Sequence, residues 1–494
     1  RFPNSHVLSV LPIIEVLRYN TTVKHLIIIQ RKWDPKELKE FLTCLSCVNR
    51  GVTSLELAAH DFEPSFMETL TKILKLNRQI KRIQVNTHLS KPLFGDGWKR
   101  FCDGMEYYTF EELFISNALL PAKGFELLVE GLIYNQSIKS LCITAQEIGG
   151  KKFKAICDLL VSNPTITRLD LVGCVLRKDD LIQFKRVLNA NSIKKLRLQH
   201  SLCKTKESNL DVIENELKAN TSITELYLPA NRIDYKLIGD IIRASGSIKK
   251  LDMGGNKFSV KHLKLKSNRI LQDLNLENCL RLNYSILFKE LCKNQSLKIL
   301  RLGNNSIVDN AMLTKFLTKN NTLMELVVYF DYMHLVDETI KAIASGLAGN
   351  KSLRKLSFKI SRMQYNTFSS LIDALKSNHA LLELHISNIK NLFLESRPPN
   401  GNDMDDFLLD LLKTNKTLRY IEGAEEFPYL EEILKANRER QDKIIADTIA
   451  IIKMIIAKPN SFILPVEVWE AVFKNISYSF TPLDFEQFFK SNVK

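Results

Sequence analysis

Apolar residues recur along this chain in one short pattern: an apolar residue, two polar residues, an apolar residue, any residue, and a third apolar residue. The pattern usually follows an Asn and a Ser or Thr, as in Asn20-Thr-Thr-Val-Lys-His-Leu-Ile-Ile and Asn220-Thr-Ser-Ile-Thr-Glu-Leu-Tyr-Leu. Alternating apolar residues are typical of a short strand with one buried side. Each copy is followed by apolar residues at helical spacing, such as Leu313, Phe316 and Leu317. The pattern therefore predicts strands that alternate with helices.

The pattern repeats about fifteen times. Its first apolar residue lies at positions 23, 52, 80, 110, 138, 166, 193, 223, 248, 271, 297, 323, 353, 381 and 418, with spacings that cluster near 28. One unit of this size cannot bury its apolar side alone, so neighbouring units must stack. We expect one repeat domain over residues 1–440, with irregular structure near 86–109 and 389–417.

Several units also carry a turn residue, Asn or Cys, three positions after the third apolar residue. Clear examples are Ile166, Leu169, Leu171 and Cys174; Ile223, Leu226, Leu228 and Asn231; and Leu297, Leu300, Leu302 and Asn305. This pattern resembles the leucine-rich repeat, and units near 28 residues resemble its ribonuclease-inhibitor-like class. The resemblance implies an α/β solenoid: a curved horseshoe with parallel strands on the concave side and helices on the convex side.

The same class occurs in animal innate-immune receptors and in effectors secreted by intracellular bacteria. The resemblance therefore implies a non-enzymatic module that recognises another protein on its concave surface. It also implies a cytoplasmic location, which is the host cytosol if the chain is a secreted bacterial effector. The repeat specifies the fold closely and says little about the ligand.

In this interpretation the polar strand positions face solvent on the concave surface. The first of them is often basic, and stacking is expected to align a ladder of Lys24, Lys81, Lys139, Lys194, Lys249, Lys298, Arg354 and Arg419. The candidate partner-binding residues are Lys139, Arg168, Lys194, Arg197, Tyr227, Lys249, Asp252, Arg301 and Arg354. Tyr227, Arg197 and Arg301 are the expected central anchors, because Tyr and Arg are favoured at interface hot spots. The alternative is that these lysines only keep the repeats soluble.

The formal net charge of +15 favours an acidic partner, which includes nucleic acid, an anionic membrane or an acidic protein surface. Abundant Lys, Ile and Asn are also typical of an A/T-rich genome, which weakens charge as a functional signal. The expected concave surface has few interleaved aromatic residues, which a single-strand nucleic-acid groove needs for stacking. This lack of aromatic residues argues against nucleic-acid binding through the basic ladder, which is kept as an alternative to protein binding. No apolar run is long enough to predict a membrane span.

Motifs for catalysis, metals or cofactors are not found in the sequence. Cys44 and Cys47 form a CxxC pair without two further ligands at zinc-site spacing, so we interpret them as one side of a helix. There is no HExxH, phosphate loop or GxSxG motif, and we expect no enzyme activity and no cofactor. Nine scattered cysteines fit a reducing compartment. The Asn-x-Ser/Thr matches recur at the repeat period, so we attribute most of them to repeat structure and not to glycosylation.

Residues 441–494 lack the repeat pattern and are expected to form a helical C-terminal cap or an F-box-like segment. Ile463-Leu-Pro-Val-Glu-Val-Trp resembles the start of an F-box, which docks on the Skp adaptor of a cullin ubiquitin ligase. That resemblance implies adaptor contacts from Leu464, Pro465, Val468, Val472 and Phe473. The chain would then be a ubiquitin-ligase substrate receptor, a second alternative to a simple binding module.

Overall fold

The computed structural model describes the backbone of most of the chain. The described residues are 11–30, 35–49, 51–59, 64–87, 95–116, 120–144, 147–202, 210–233, 235–256, 265–279, 282–303, 309–329, 336–360, 363–387, 404–424 and 427–457. They belong to two compact units. The first comprises residues 1–264 and 270–282, and the second comprises 265–269 and 283–494.

The first unit contains strands that pair in chain order, each parallel to the next. They are β1 (His25–Gln30), β2 (Ser54–Ala59), β3 (Arg82–Thr87), β4 (Glu112–Ser116), β5 (Ser140–Thr144), β6 (Arg168–Val172), β7 (Lys195–Gln199), β8 (Glu225–Tyr227), β9 (Lys250–Asp252) and β10 (Asp273–Glu277). Its helices are α1 (Leu11–Tyr19), α2 (Pro35–Thr43), α3 (Pro64–Leu76), α4 (Asp96–Asp103), α5 (Ala122–Ile133), α6 (Lys151–Ser162), α7 (Lys178–Ala190), α8 (Glu214–Ala219) and α9 (Tyr235–Ala244).

The second unit continues the same alternation with parallel strands in chain order. The strands are β11 (Ile299–Gly303), β12 (Glu325–Tyr329), β13 (Lys355–Lys359), β14 (Glu383–Ile386) and β15 (Tyr420–Ile421). The helices are α10 (Tyr284–Leu291), α11 (Asn310–Lys319), α12 (Val336–Gly349), α13 (Tyr365–Ser377), α14 (Met404–Thr414) and α15 (Pro428–Ala457). The α/β leucine-rich-repeat architecture expected from the sequence is confirmed. Every strand begins two residues after the apolar position that predicted it.

The core of each repeat lies between its strand and its helix. In β6, Leu169 and Leu171 are fully buried, and Phe153 of α6 packs on Phe184 of α7 with ring centroids 5.8 Å apart. Full burial of one such side chain stabilises the fold by roughly 1.5–3 kcal/mol. The strand residues that alternate with the buried ones point to the opposite face of the sheet, away from the helices.

A buried amide at the start of most repeats joins it to the preceding repeat. In a typical unit, the Asn163 side chain donates to the carbonyls of Leu132 (2.7 Å) and Asn135 (2.7 Å) and accepts from Thr165 N at 3.1 Å. The residues in this position, the asparagine ladder, include Asn49, Asn77, Asn135, Asn163, Asn220, Asn294, Asn320, Asn350, Asn378 and Asn415, all at most 5% exposed. This role accounts for the Asn-x-Ser/Thr matches at 135, 220, 294, 320, 350 and 415.

The Asn or Cys after each strand forms a second set of turn contacts. Asn256 donates to the carbonyls of Leu228 (2.9 Å) and Met253 (2.8 Å) and accepts from Asn231 N at 2.9 Å. The Cys174 thiol donates to the carbonyl of Ile143 at 3.3 Å. These groups satisfy main-chain atoms that the turn would otherwise bury without a partner.

Two segments differ from their sequence-based descriptions. Residues 95–109, expected to be irregular, form helix α4 and a short 3-10 turn at Met105–Tyr107, with Trp98 and Phe101 buried in contact. Glycines 95, 97 and 104 suggested irregularity, but burial of these aromatic side chains favours the helix. At the C-terminal end, α15 runs without a break across the expected boundary at residues 440 and 441.

Candidate protein-binding surface

The solvent side of the first unit's strands, called the strand face below, is built by the parallel register. Two rows of residues pair in register from β6 to β9, each residue with the one on the next strand. One row is Arg168, Lys195, Glu225 and Lys250, and the other is Asp170, Arg197, Tyr227 and Asp252. Neighbouring parallel strands lie about 4.8 Å apart, so side chains in one row contact each other directly. The structure therefore brings together six of the predicted site residues: Arg168, Lys194, Arg197, Tyr227, Lys249 and Asp252.

Tyr227 lies at the centre of a group of cations. The charged groups of Arg197, Lys195 and Lys250 lie 4.9, 5.2 and 5.7 Å from the centroid of its ring. These side chains leave Tyr227 only 6% exposed. The expectation that Tyr227 projects into solvent as an anchor is therefore wrong, because long cationic side chains on both neighbouring strands fold over it. Tyr227, Lys195, Arg197, Lys250 and Glu225 are called the tyrosine cluster below.

Glu225 holds the tyrosine cluster together. It accepts a hydrogen bond from the Tyr227 hydroxyl and lies 2.8 Å from the Lys195 ammonium. Burial alone would raise the pKa of Glu225, but the hydrogen bonds from Lys195 and Tyr227 outweigh it and lower that pKa. Burial, together with the bond to Glu225, raises the pKa of Tyr227. The ring therefore stays a neutral phenol that bonds to a carboxylate.

Arg168 and Asp170 form a second charged pair on the strand face. The Arg168 guanidinium donates to Asp170 at 2.5 Å, and this bond raises the pKa of Arg168. Asp170 is only 3% exposed, and its Oδ1 atom has no hydrogen-bond partner within the described part of the chain. Asp252, in the same row, accepts from Gly254 N at 2.9 Å, and burial raises its pKa. Asp170 therefore positions the Arg168 guanidinium, whereas Asp252 bonds to the main chain of the turn after its strand.

The row that contains the expected lysine ladder also contains uncharged and acidic residues. The main-chain bonds that precede each strand show that one row of the first unit consists of Lys24, Thr53, Lys81, Glu111, Lys139, Thr167, Lys194, Thr224, Lys249 and Gln272. Cations therefore occur only in alternate repeats. Lys139 lies 2.7 Å from Glu111, whereas Lys194 and Lys249 are exposed. The sequence contained this alternation, but only the stacking order shows that the interleaved residues belong to the same row.

Two predicted residues lie in the second unit. Arg301 faces Glu325 across a 3.8 Å contact. The Arg354 guanidinium donates to the carbonyls of Lys351 (2.9 Å) and Ala380 (3.3 Å). Arg354 therefore closes a turn between repeats, a structural contact that the sequence pattern did not indicate.

The second unit also forms a cleft that the sequence did not reveal. It has a volume of about 530 Å³ and is lined by Leu382, Glu383, His385, Arg419, Tyr420 and Arg438. The centroids of the His385 and Tyr420 rings lie 4.8 Å apart with the rings tilted by 37°, and the His385 Nε2 atom lies 3.1 Å from Glu383. Arg438 comes from α15 and donates to the Arg419 carbonyl at 2.8 Å. Since that helix follows the last repeat, repeat periodicity could not have placed it beside β14 and β15.

Other expectations concern metals, membranes and the C-terminal tail. Among the described residues no group of three or more His, Cys, Asp or Glu side chains is arranged to hold a metal ion. Cys44 is buried in a π-helical turn, and its thiol donates to the Ile14 carbonyl. Within the described ranges, no helix is both long and apolar enough to cross a bilayer. The F-box-like residues Leu464, Pro465, Val468, Val472 and Phe473 lie outside the described residues.

Comparison with known proteins supports the repeat assignment. The chain is 25% identical over 307 residues to mouse NACHT, LRR and PYD domains-containing protein 5. The match covers 59% of this chain and 24% of the mouse protein, so the chain spans about a quarter of that relative. No protein-family model matches the chain.

Three solved structures align with part of the chain. A chain of the yeast Rad7–Elc1 complex aligns with a TM-score of 0.43 and 17% identity, covering 62% of this chain and 76% of that one. A chain of the Drosophila Toll–Spatzle complex gives 0.40 and 14%, covering 81% and 54%. LegL7, a leucine-rich-repeat protein of Legionella pneumophila, gives 0.36 and 14%, covering 70% and 97%.

Proposed function

We propose that the strand face of the first unit binds a partner protein with an acidic surface, and that the chain acts by recognition and not by catalysis. The observation that carries this proposal is the convergence of Lys195, Arg197 and Lys250 on the ring of Tyr227. Rows of side chains fixed by strand register form a preorganised surface, which lowers the entropy cost of binding. Arg197, which lies beside the covered ring, is the residue of the cluster best suited to contact a partner, since Arg is enriched at binding hot spots.

The charges of this region favour an acidic partner over a basic one. Glu225 and Asp273 are already paired with Lys195 and Lys250, at 2.8 and 3.0 Å. Arg197 instead contacts the neutral Tyr227 ring and the Gln199 amide. Exposed Lys194 and Lys249 add positive charge beside the cluster. The attraction between a partner carboxylate and these cations would become stronger as water is excluded from the interface.

Proximity labelling in cells tests this proposal when it is combined with charge reversal. The strand-face variant carries Lys194→Glu and Lys249→Glu, both at exposed positions. The matched control carries Lys154→Glu and Lys178→Glu, which change the charge equally on helices α6 and α7. We expect one set of proteins, rich in acidic surface, to be labelled by the wild type and the control but not by the strand-face variant.

Two outcomes would contradict the proposal. In the first, the helix variant loses the same proteins as the strand-face variant, which indicates a non-specific effect of net charge. In the second, labelling is unchanged by reversal of Lys194 and Lys249. Chemical cross-linking of the labelled partners should also join them to Lys194 or Lys249 in the wild type, since both ammonium groups are exposed.

We also propose a reducing cytoplasmic location, which is the host cytosol if the chain is a bacterial effector. Within the described part of the chain, the side chains of Cys44, Cys102, Cys142, Cys157, Cys174, Cys279 and Cys292 are free thiols. Six of them are buried within the repeats, where a thiol packs as a small side chain and can donate a weak hydrogen bond. Fractionation of cells that express the chain tests the location.

The F-box-like tail remains a prediction with its own test. Recruitment of a Skp adaptor should be lost on Leu464→Ala and Pro465→Ala if the tail works as the resemblance implies. Binding that ignores both changes, or no binding, would remove the substrate-receptor alternative.

Nucleic-acid binding through the lysine row is also still a prediction. It requires an affinity that falls steeply with salt concentration. Absence of binding at low salt would end it.

A further inference from the structure

A row of exposed apolar side chains lies along one edge of the first unit, away from the strand face. It consists of the residue immediately before the asparagine-ladder position in each of the first five repeats: Tyr19, Val48, Leu76, Tyr107 and Tyr134. Their exposed fractions are 80%, 45%, 73%, 56% and 68%. These five residues are called the rim stripe.

The ladder contacts establish that the five positions are equivalent. In the fourth repeat Tyr108 takes the place of the asparagine, because Asn135 donates to the carbonyls of Met105 and Tyr108. Asn163 donates in the same way to Leu132 and Asn135 one repeat later. Tyr107 therefore occupies the same place as Tyr134. Because successive repeats stack in register, the rim stripe is continuous across five repeats.

The apolar character of this position ends abruptly. In the next four repeats the same place is occupied by Ser162, Ala190, Ala219 and Ala244. The repeat itself therefore does not need a large apolar side chain here. An exposed strip of three tyrosines, a leucine and a valine, on the order of several hundred Å², is typical of an interaction site.

Charged residues around the rim stripe follow a pattern. The residues around Leu76 are cationic: Lys72, Lys75, Arg78 and Lys81 are all exposed. The Lys75 ammonium lies 4.6 Å from the centroid of the Tyr107 ring. Lys72 and Lys81 lie beside Glu68 and Glu111, but within the described residues no carboxylate comes within 4 Å of Lys75 or Arg78. The middle of the stripe therefore carries unneutralised positive charge.

Exposed carboxylates lie close in sequence to the three tyrosines of the rim stripe: Glu15 before Tyr19, Glu106 before Tyr107 and Glu130 before Tyr134. Glu15 is paired with Arg18 at 3.4 Å. Glu106 and Glu130 would repel an anionic bilayer at the Tyr107 and Tyr134 end of the stripe. A second copy of this chain would bring the same cations against each other and carries the same net charge of +15.

We propose that the rim stripe binds an extended segment of a partner protein that combines large apolar side chains with Asp or Glu residues at its centre. In an extended segment, side chains on one side recur about every 6.6 Å, so one segment can contact successive repeats. Its apolar side chains would cover the tyrosines and Leu76, and its carboxylates would pair with Lys75 and Arg78. This surface is separate from the strand face.

Selection of a phage-displayed library of random peptides on the whole chain tests this proposal. We expect enriched peptides to contain Asp or Glu between large apolar residues. Their binding should weaken by about tenfold or more in a variant carrying Tyr19→Ser, Leu76→Ser and Tyr134→Ser, since three apolar contacts are lost together. A matched control, Val161→Ser with Ile182→Ser, removes exposed apolar residues from α6 and α7 and should bind normally.

A charge-swap experiment provides a second readout that does not depend on the apolar variant. Lys75→Glu with Arg78→Glu should abolish binding of the acidic peptides, and peptides with Lys in place of the central acids should regain it. The strand-face variant, Lys194→Glu with Lys249→Glu, should bind the peptides like wild type, so the two proposals fail independently.

Several results would overturn the proposal. They are the absence of enriched peptides, enriched peptides without acids, and binding that survives both rim variants. Self-association in sedimentation velocity that is lost in the apolar variant would assign the stripe to a second copy of the chain. Stripe-dependent binding to phosphatidylserine vesicles would assign it to a membrane.

Discussion

The side-chain amide of Asn163 donates to the main-chain carbonyl of Asn135, 2.7 Å away in the preceding repeat. Asn135 in turn donates to the carbonyl of Tyr108, and this relation recurs along both units. A buried carbonyl without a partner costs about 1–3 kcal/mol, so each amide stabilises the end of the helix before it. The ladder therefore links neighbouring repeats through polar contacts as well as through their apolar core.

Asn135→Ala should destabilise the protein by about 2–4 kcal/mol, because it leaves several buried main-chain groups unpaired. Asn135 is fully buried, donates to Met105 O at 2.6 Å and accepts from Ile138 N at 2.8 Å. Urea denaturation followed by circular dichroism measures the change. Asn189→Ala, at an exposed position of α7, is the control and should change stability by less than about 0.5 kcal/mol. Equal effects of the two substitutions would show that the ladder does not stabilise the fold.

Gly131→Ala should be destabilising although alanine is the better helix former. A Cβ atom at position 131 of α5 would lie 2.3 Å from the Cys102 carbonyl oxygen and 2.9 Å from the Met105 Cβ atom. Main chain cannot give way as a flexible side chain can, so we expect a loss of about 1–3 kcal/mol. At Gly246 a Cβ would meet nothing within 4 Å, and Gly246→Ala should be neutral or slightly stabilising. Thermal unfolding of both variants compares them, and a Gly131→Ala protein as stable as wild type would contradict the close packing of α5.

Glu225→Gln should reduce stability at neutral pH and matter less in acid. The folded-state pKa of Glu225 is lowered by its contacts with Lys195 and Tyr227, despite its burial. A lowered pKa gives stability that is present above the unfolded value, about 4.3, and is lost as pH falls through the folded value. Urea midpoints of wild type and variant should therefore differ at pH 7, and the difference should shrink as the pH is lowered below the unfolded value of about 4.3. A difference that is the same at both pH values would contradict the assigned ionic contacts.

Tyr227→Phe isolates the hydroxyl of the same cluster. It removes the hydrogen bond to Glu225 and keeps the ring beneath Arg197, so a loss of about 1 kcal/mol is expected. Tyr227→Ala also removes the ring and should cost about 3 kcal/mol or more. The two urea-denaturation curves compare these losses. Similar values would show that the ring contributes little.

Cys157 should resist alkylation in the folded protein. It is fully buried, and burial raises its pKa to about 12. At pH 8 the reactive thiolate is then about one part in ten thousand, so labelling requires unfolding. Iodoacetamide labelling with mass spectrometry should find Cys157 slower than the partly exposed Cys292 in buffer, and similar to it in urea. Rapid labelling of native Cys157 would contradict its burial.

Much of the fold follows from the sequence because the determining signal is local and repeated. Each apolar triplet specifies one strand, and the same triplet recurs so often that errors in one unit do not shift the next. The position of Ile223 predicted β8, and that of Leu353 predicted β13, without knowledge of any neighbour. The same triplet indicates which strand positions are polar, but the stacking order decided which residues share a row.

The functional details depend on contacts that cross between repeats. Tyr227 is covered because Lys195 and Lys250 lie on the strands at either side, and Arg354 is bound because the Ala380 carbonyl is brought beside it. The pairing of Tyr107 with Lys75, about thirty residues earlier, likewise required the stacking of two helix ends.

By itself, then, the sequence determined the repeat, its strands and the polar positions of each strand, because short-range periodicity encodes them. Only the tertiary structure decided which of these side chains share a row and which of them remain exposed. Exposure depends on the length and charge of side chains one repeat away, and these vary without a period.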